Sequence, residues 1–576
     1  MTSENLDEGM DDQLNHEMRR IEAAQRVLKR KGLDFLEQLG TGNDPDKPLS
    51  VETLWQNEEF LVEVEAAIEA ELAPDPGGVR RFLADFEVQI EDLDARWLLT
   101  LWWQASGTRK VDFSPLIREY QDVYSRHLLQ ELETLQETTD IKPLNQHRLD
   151  LWQQVAKREL VDSALAPLRT GLRQDITNHC FQHHGRDYTT SQITTMILRE
   201  NPDRKSRRTA WNSLVQLSQQ IVPKMRELIM QANAYWQKHG YENANAPRLQ
   251  ALGVNELIVR EIIASIERET RPIAKLLLKE YKKCLGYEVA QWDWRFAGTK
   301  LPYSFGRPFK NGDAITCLKK TYKNLGIDVE QLPIHFAGDS AGLGVSYNAV
   351  RVPHDIIFSY GPVSGAREYF ALLHALGEAC YFTHIDADLP YAFRRYAPEV
   401  LGEGFAILSS WLLWEYDWLE EFTNLSPEEI VRFSQQMRNY ELLKLRYSAG
   451  VVLFELDAYQ ILANNSDVSL DKLFENHMKT FLPILADGRW AWAPDPWLIA
   501  FSSTPFYTSN VLGLAVAANL VEYLHEKDVS LFSKETGKLF RADLVQQGAS
   551  SPWWERLHQQ TAKPLIPFPI SWSRAW

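Results

Sequence analysis

Apolar residues recur at three- and four-residue steps along most of the chain. The clearest stretches are RWLLTLWWQ near residue 100, LDLWQQVAKRELVDSALAPLRTGL from 149 and WNSLVQLSQQIVPKMRELIMQANAYWQKHG from 211, and this period predicts long amphipathic helices. Clusters of Pro, Gly, Asn and Asp at 40–50, 73–78 and 243–249 predict loops between them. Strand character is confined to 330–360, where IHFAGDSAGLGVSYNAVRVPHDIIFSYG mixes β-branched and aromatic residues with glycines, so one small sheet is expected there. Helical patterning returns in ALLHALGEACYFTHI and PEVLGEGFAILSSWLLWEYDWLEEF, separated by the proline-containing stretch ADLPYAFRRYAP. The expected class is therefore mainly α with a small β-sheet. No repeat of 20–50 residues is found, which argues against a solenoid.

At 576 residues the chain exceeds the roughly 250–300 residues at which a single core stops growing. Residues 1–50 are expected to form a polar helical arm, 51–200 a helical N-terminal lobe and 201–576 the region that carries the chemistry. Apolar residues at 44% and charged residues at 24% describe an ordinary folded protein. The net charge of −16 argues against a nucleic-acid or anionic-membrane partner, because both require a basic surface. The four cysteines, Cys180, Cys284, Cys317 and Cys380, form no C-x-x-C pair, so neither a disulfide framework nor a cysteine zinc site is indicated. An acidic N-terminus and no run of about 18 apolar residues lead to the expectation of a cytoplasmic protein without a membrane span. The oligomeric state is left open.

The segment with the most chemistry is His374-Ala375-Leu376-Gly377-Glu378-Ala379. It resembles the H-E-x-G-H-A helix of the M3 family of zinc oligopeptidases, the thimet oligopeptidase and oligoendopeptidase F group. In an H-E-x-x-H helix two histidines one turn apart bind a metal, and the adjacent glutamate takes a proton from the metal-bound water. Here His374, Gly377 and Ala379 match, while Ala375 stands at the position of the general base and Glu378 at that of the second histidine. Glu403, in LGEGFAILSSW, occupies the place of the family's third ligand. The resemblance extends over roughly 140–525 through DRKSRRTAW (203–211), KHGYEN (238–243), QWDWRF (291–296), GDSAGLGVSYN (338–348) and TPFYTSNVLG (504–513).

It implies a two-lobed, zincin-like helical fold with a central channel that admits a short peptide or another small ligand, with Gly342 and Gly344 on a substrate-side edge. Tyr507 corresponds to an oxyanion-stabilising tyrosine of the family. No histidine occurs between 485 and 524, and Phe501 stands near the family's histidine position. The set His374, Glu378 and Glu403 implies a single divalent metal, with manganese, iron or magnesium gaining on zinc because two carboxylates make a harder site. The alternative is a buried helix in which His374 and Glu378 satisfy each other at i, i+4 without a metal. Glu378 is also a candidate base. His384 lies ten residues on, about 1,000° around a helix and thus off the His374 face, and Glu399 after Pro398 fits a helix-start carboxylate. Three functions remain open at this point. The first is a diverged oligopeptidase-like binder with weak or lost peptidase activity, the second an active metal-dependent hydrolase using a His-Glu-Glu site, and the third a helical interaction protein with a vestigial pocket.

Overall fold

A computed structural model describes residues 75–300, 308–310, 313–338, 344–363, 365–464, 467–485, 488–495 and 505–563, with Ala24, 60–62, Val64 and Leu498 in isolation. The expected polar arm at 1–50, Gly342 and Phe501 lie outside these residues. Two compact units are distinguished, Met1–Phe82 with Thr138–Lys142, and Leu83–Glu137 with Pro143–Trp576. Everything below concerns the second, apart from the first residues of the helix that begins at Val79.

The helical periods correspond to α1 (Val79–Ser106), α2 (Pro143–Asn178), α3 (Arg204–Lys238) and α4 (Glu256–Leu285). Their ends follow from local chemistry. Asp203 accepts from the Lys205 and Ser206 amides at the start of α3, and Asn255 accepts from the Ile258 amide at the start of α4, whose C-terminal neighbour Gly286 is left-handed. The stretch 243–249, expected as a loop, instead contains a short helix, Asn245–Ala251. The Asn243 side chain accepts from the Asn245 amide, and Pro247 falls in the first turn, where its missing N–H costs no helical bond. Sequence periodicity also passed over a hairpin, β1 (Cys180–His183) with β2 (Arg186–Thr189). Its two-residue turn, His184 at φ 50° and Gly185 at φ 76°, has the positive dihedrals that tight hairpins require.

The expected sheet is present as β3 (Ile334–Ala337), β4 (Ser346–Arg351) and β5 (Asp355–Ser359), in the order β3-β5-β4. The central strand β5 pairs in parallel with β3 and antiparallel with β4. Ties to α1 hold this sheet: Trp102 Nε1 donates to Ser359 Oγ at 2.8 Å, and Asn348 Nδ2 donates to the Leu98 carbonyl at 2.8 Å. Next come α5 (Ala366–Thr383), the short α6 (Tyr391–Arg395), α7 (Glu399–Ser410), α8 (Pro427–Ala463), α9 (Leu470–Phe481) and α10 (Phe506–Glu526). Helix α8 opens with a capping box between Ser426 and Glu429.

One continuous core includes side chains from α2 to α10, among them Trp411, and with them Trp418 and Trp492, all buried. Helices α5, α7 and α10 approach one another closely. A Cβ at Gly377 would lie 2.5 Å from Ser409 Oγ and 2.8 Å from the Phe405 carbonyl oxygen, and a Cβ at Gly513 would lie 2.5 Å from Glu403 Cγ. Only glycine permits these crossings, which bring the side chains of α5, α7 and α10 to one point. Among the described residues no helix is long and apolar enough to cross a membrane.

Candidate metal centre

Helix α5 is largely buried, and His374 and Glu378 stand one turn apart on the face turned towards α7 and β4, as residues at i and i+4 must. Glu403 projects from α7. Ligand atoms of the three residues all lie within 4.8 Å of one another, and His374 Nε2 is 3.5 Å from Glu403 Oε2. Atoms held about 2.0–2.2 Å from one metal at tetrahedral angles stand roughly 3.4 Å apart, so this spacing suits a shared cation. The donor set fits as well, since two carboxylates facing one imidazole leave an anionic excess that either a proton or a cation must offset. His374 Nδ1 is buried without a hydrogen-bond partner among the described residues.

Two further side chains orient the carboxylates. Tyr347 on β4 donates its hydroxyl to Glu378 Oε1 at 2.6 Å, and Asn510 on α10 donates Nδ2 to Glu403 Oε1 at 2.6 Å. Phe370, one turn before His374, stacks on the imidazole at 6.3 Å between centroids and 17° between planes. Burial together with the nearby Glu403 charge pushes the Glu378 carboxyl up to about 7, against the opposing pull of His374. Burial also raises the proton affinity of Glu403, but the His374 charge and hydrogen bonds from His374 and Asn510 outweigh it and leave that carboxyl below its usual value. Burial disfavours the imidazolium of His374, yet Glu403 and Glu378 more than compensate and hold its pKa above normal. In the absence of a cation the site therefore holds a His374–Glu403 ion pair beside a Glu378 carboxyl that titrates near neutrality.

The triad opens into a cavity of about 940 Å³ that Glu399, Phe506 and Asn510 also line. Of the residues singled out from sequence, His374, Glu378 and Glu403 are brought together. Tyr507 is not part of this group. Its hydroxyl donates to Asp495 Oδ2 at 2.6 Å, and its ring packs edge-on against Tyr447. The reason is helical geometry: Phe506, Ser509 and Asn510 share the cavity face of α10, and Tyr507 is about 100° round from Phe506. Gly344, with φ 64°, has no atom within 4 Å of a Cβ built on it and precedes β4. His384 bonds the carbonyl of Cys380 in its own helix through Nδ1 at 2.7 Å. Ala375 is buried in the core of α5. Tyr347 and Asn510 were not anticipated from the sequence. They reach the site from elements 31 and 107 residues away from their partners, and no local spacing announces such contacts.

The whole arrangement can be compared with known structures. A candidate oligoendopeptidase F superposes with a TM-score of 0.57 at 15% identity, covering 97% of this chain and 94% of its own. An M32 carboxypeptidase from Deinococcus radiodurans R1 gives 0.57 at 13% identity, covering 86% and 98%. PZ peptidase A, solved with an inhibitor, gives 0.56 at 16% identity, covering 97% and 95%. The fold is zincin-like. These likenesses run nearly end to end in both chains, so the helical fold of this chain is similar to theirs. No protein-family model and no curated protein matches the sequence.

Proposed function

We propose that this protein is a diverged oligopeptidase-like metalloprotein that binds a short peptide or similar small ligand in the cavity beside His374, Glu378 and Glu403, with peptide hydrolysis weak or lost. The observation that carries the reading is the conjunction at one helix: three ligand atoms within 4.8 Å of one another, next to a buried Ala375 with no group to move a proton. His374, Glu378 and Glu403 would hold a divalent metal, with manganese or iron favoured relative to zinc by the two carboxylates. Such an ion, when bound, polarises a carbonyl oxygen and acidifies a water. Loss of a general base costs about 10²–10⁴ in rate, and with Tyr507 turned to Asp495 a family-type oxyanion donor is missing too, at about 10²–10³.

The test is elemental mass spectrometry of purified protein beside His374→Ala. About one metal per chain in the wild type, lost in the variant, is the expected result. Absence of metal from both, even after incubation with zinc, manganese or iron, would sink the proposal. Restoring the family's helix motif with Ala375→Glu and Glu378→His together is expected to produce little peptidase activity.

A second reading has one observation in its favour. Tyr347 donates to Glu378 on the cavity wall, which pairs a carboxylate with a phenol as a candidate acid–base unit. An active metal-dependent hydrolase would use it, and in that case both Tyr347→Phe and His374→Ala abolish turnover of a peptide substrate while the protein stays folded.

A further inference from the structure

The segment joining the two ligand-bearing helices carries a second, differently charged group of side chains. Arg395 at the end of α6 and the adjacent Tyr396 line the same cavity as the metal ligands, and Arg158 of α2 lines it with them. Both guanidinium groups lie against the ring of Tyr396, Arg158 at 5.4 Å and Arg395 at 5.6 Å from its centroid, so the three form one stretch of wall.

These arginines are short of hydrogen bonds. A guanidinium has five N–H donors, yet Arg158 makes a single long bond, 3.4 Å from Nη2 to Oε1 of its neighbour Glu159. Arg395 meets Asp94 Oδ2 through Nε, as an ion pair at 3.4 Å that falls short of a hydrogen bond, and the Nε of Arg158 is buried without a hydrogen-bond partner among the described residues. The phenol of Tyr396 adds a donor, since burial pushes its pKa up to about 12 and keeps it protonated. Donors without acceptors are costly, and although the two Nε atoms are enclosed, the rest of each guanidinium side chain keeps 20% and 32% exposure on the cavity wall.

We propose that Arg158, Tyr396 and Arg395 form a subsite for a carboxylate of the ligand whose other end reaches the His374, Glu378 and Glu403 centre. The inference deepens the peptide-binding reading above and rests on it for the identity of the ligand. Planar, forked guanidinium donors match the two oxygens of a carboxylate. Charge selects a carboxylate over a phosphate. Glu159 and Asp94 already offset the two arginines, and Asp162 and Glu399 line the same cavity, so the wall offers hydrogen bonds without a large positive field and disfavours a dianion. The carboxylate can belong to a peptide C-terminus or to an acidic side chain.

Calorimetric titration of the metal-loaded protein separates these cases with tetraalanine, tetraalanine amide, Ala-Ala-Asp-Ala amide, succinate and inorganic phosphate. Tetraalanine is expected to bind at least tenfold more tightly than its amide, and the difference is expected to fall below twofold when Arg158→Gln and Arg395→Gln are combined. Arg395→Lys, which keeps the charge and disturbs no hydrogen bond, provides a second variant should the double one fold poorly; it too is expected to narrow the difference, because it lacks the fork. Ala-Ala-Asp-Ala amide binding as tightly as tetraalanine would support the subsite and assign it to acidic side chains. Arginine-dependent binding of succinate, with no peptide bound, would support the subsite while removing the peptide reading. Equal affinities for tetraalanine and its amide, phosphate binding more tightly than succinate, or no binding of any probe would each overturn the assignment.

Discussion

Two buried polar clusters in this molecule treat charge in opposite ways. At the junction of α3 with the segment 287–296, every donor of Arg207 is used: Nε and Nη2 reach Asp293 Oδ1 at 3.2 and 2.8 Å, Nη1 reaches the carbonyls of Asn201 and Pro202 at 2.7 and 3.0 Å, and Nη2 also reaches the Tyr287 hydroxyl at 2.7 Å. The other oxygen of Asp293 accepts from Arg204 Nε at 2.9 Å and from the Ala290 amide at 3.2 Å. In the cavity, two carboxylates face one imidazole whose Nδ1 has no partner among the described residues, and among the same residues the two arginines on the wall share one hydrogen bond to a side chain. A cluster that closes its own account of donors and acceptors serves the fold, whereas one left open on a cavity wall is built for something that enters.

The contrast can be broken by mutation, most strongly at its closed end. Asp293→Ala strands Arg207, which is fully buried, and should cost about 3–5 kcal/mol in urea unfolding; a loss below about 1 kcal/mol would mean that the cluster is not the structural one. Gly513→Ala places a methyl 2.5 Å from Glu403 Cγ, with an expected cost of about 1–3 kcal/mol, and metal uptake measured on the same protein should fall because Glu403 is displaced.

The open cluster gives a signature in pH. Glu378 binds its proton more tightly in the fold than in the unfolded chain, and so does His374. Through Glu378 the folded metal-free protein holds more protons than the unfolded one between about pH 7 and the ordinary carboxylate range, and through His374 above the ordinary imidazole value, so its stability should rise as pH is lowered through both windows. Glu403, shifted down, contributes the reverse and only at lower pH. Metal affinity should move oppositely and weaken below about pH 7, because the cation competes with those protons. Thermal melts of metal-free protein at pH 5.5 and 8 check the first point, and a melting temperature that is higher at pH 8 would count against it. The smallest effect is expected for Tyr347→Phe. Removing its hydrogen bond to Glu378 takes away a contact that favours the carboxylate, so the midpoint of the same transition should shift upward by a fraction of a pH unit to one unit.

What could be read from the sequence follows the range of the interactions involved. His374 and Glu378 are one turn apart on α5 and Glu403 lies on α7, and it is the resemblance to the M3 helix motif and its third-ligand position that names them. Tyr347, Asn510 and Arg158 arrive from distant elements, Asn510's helix through the close crossing at Gly513, and nothing in their local sequence reports that. Tyr507 shows the converse: its neighbourhood resembles a functional loop, but one step along α10 turns its hydroxyl to Asp495. The helical class and the small sheet were legible because both rest on patterning. The β1–β2 hairpin and the Asn245–Ala251 helix were not, because four-residue strands and a seven-residue helix are too short to show a period.

All three candidate ligands and two of the three residues of the proposed carboxylate subsite fall on the single stretch from α5 to α7, together with Gly377, while Gly513 and the Arg207–Asp293 pair lie beyond it. Much of the chemistry is thus written in one short part of the gene. A few nucleotide changes within one short span can retune which ion is held and which end of a ligand is gripped, and the surrounding helices have no need to register the event.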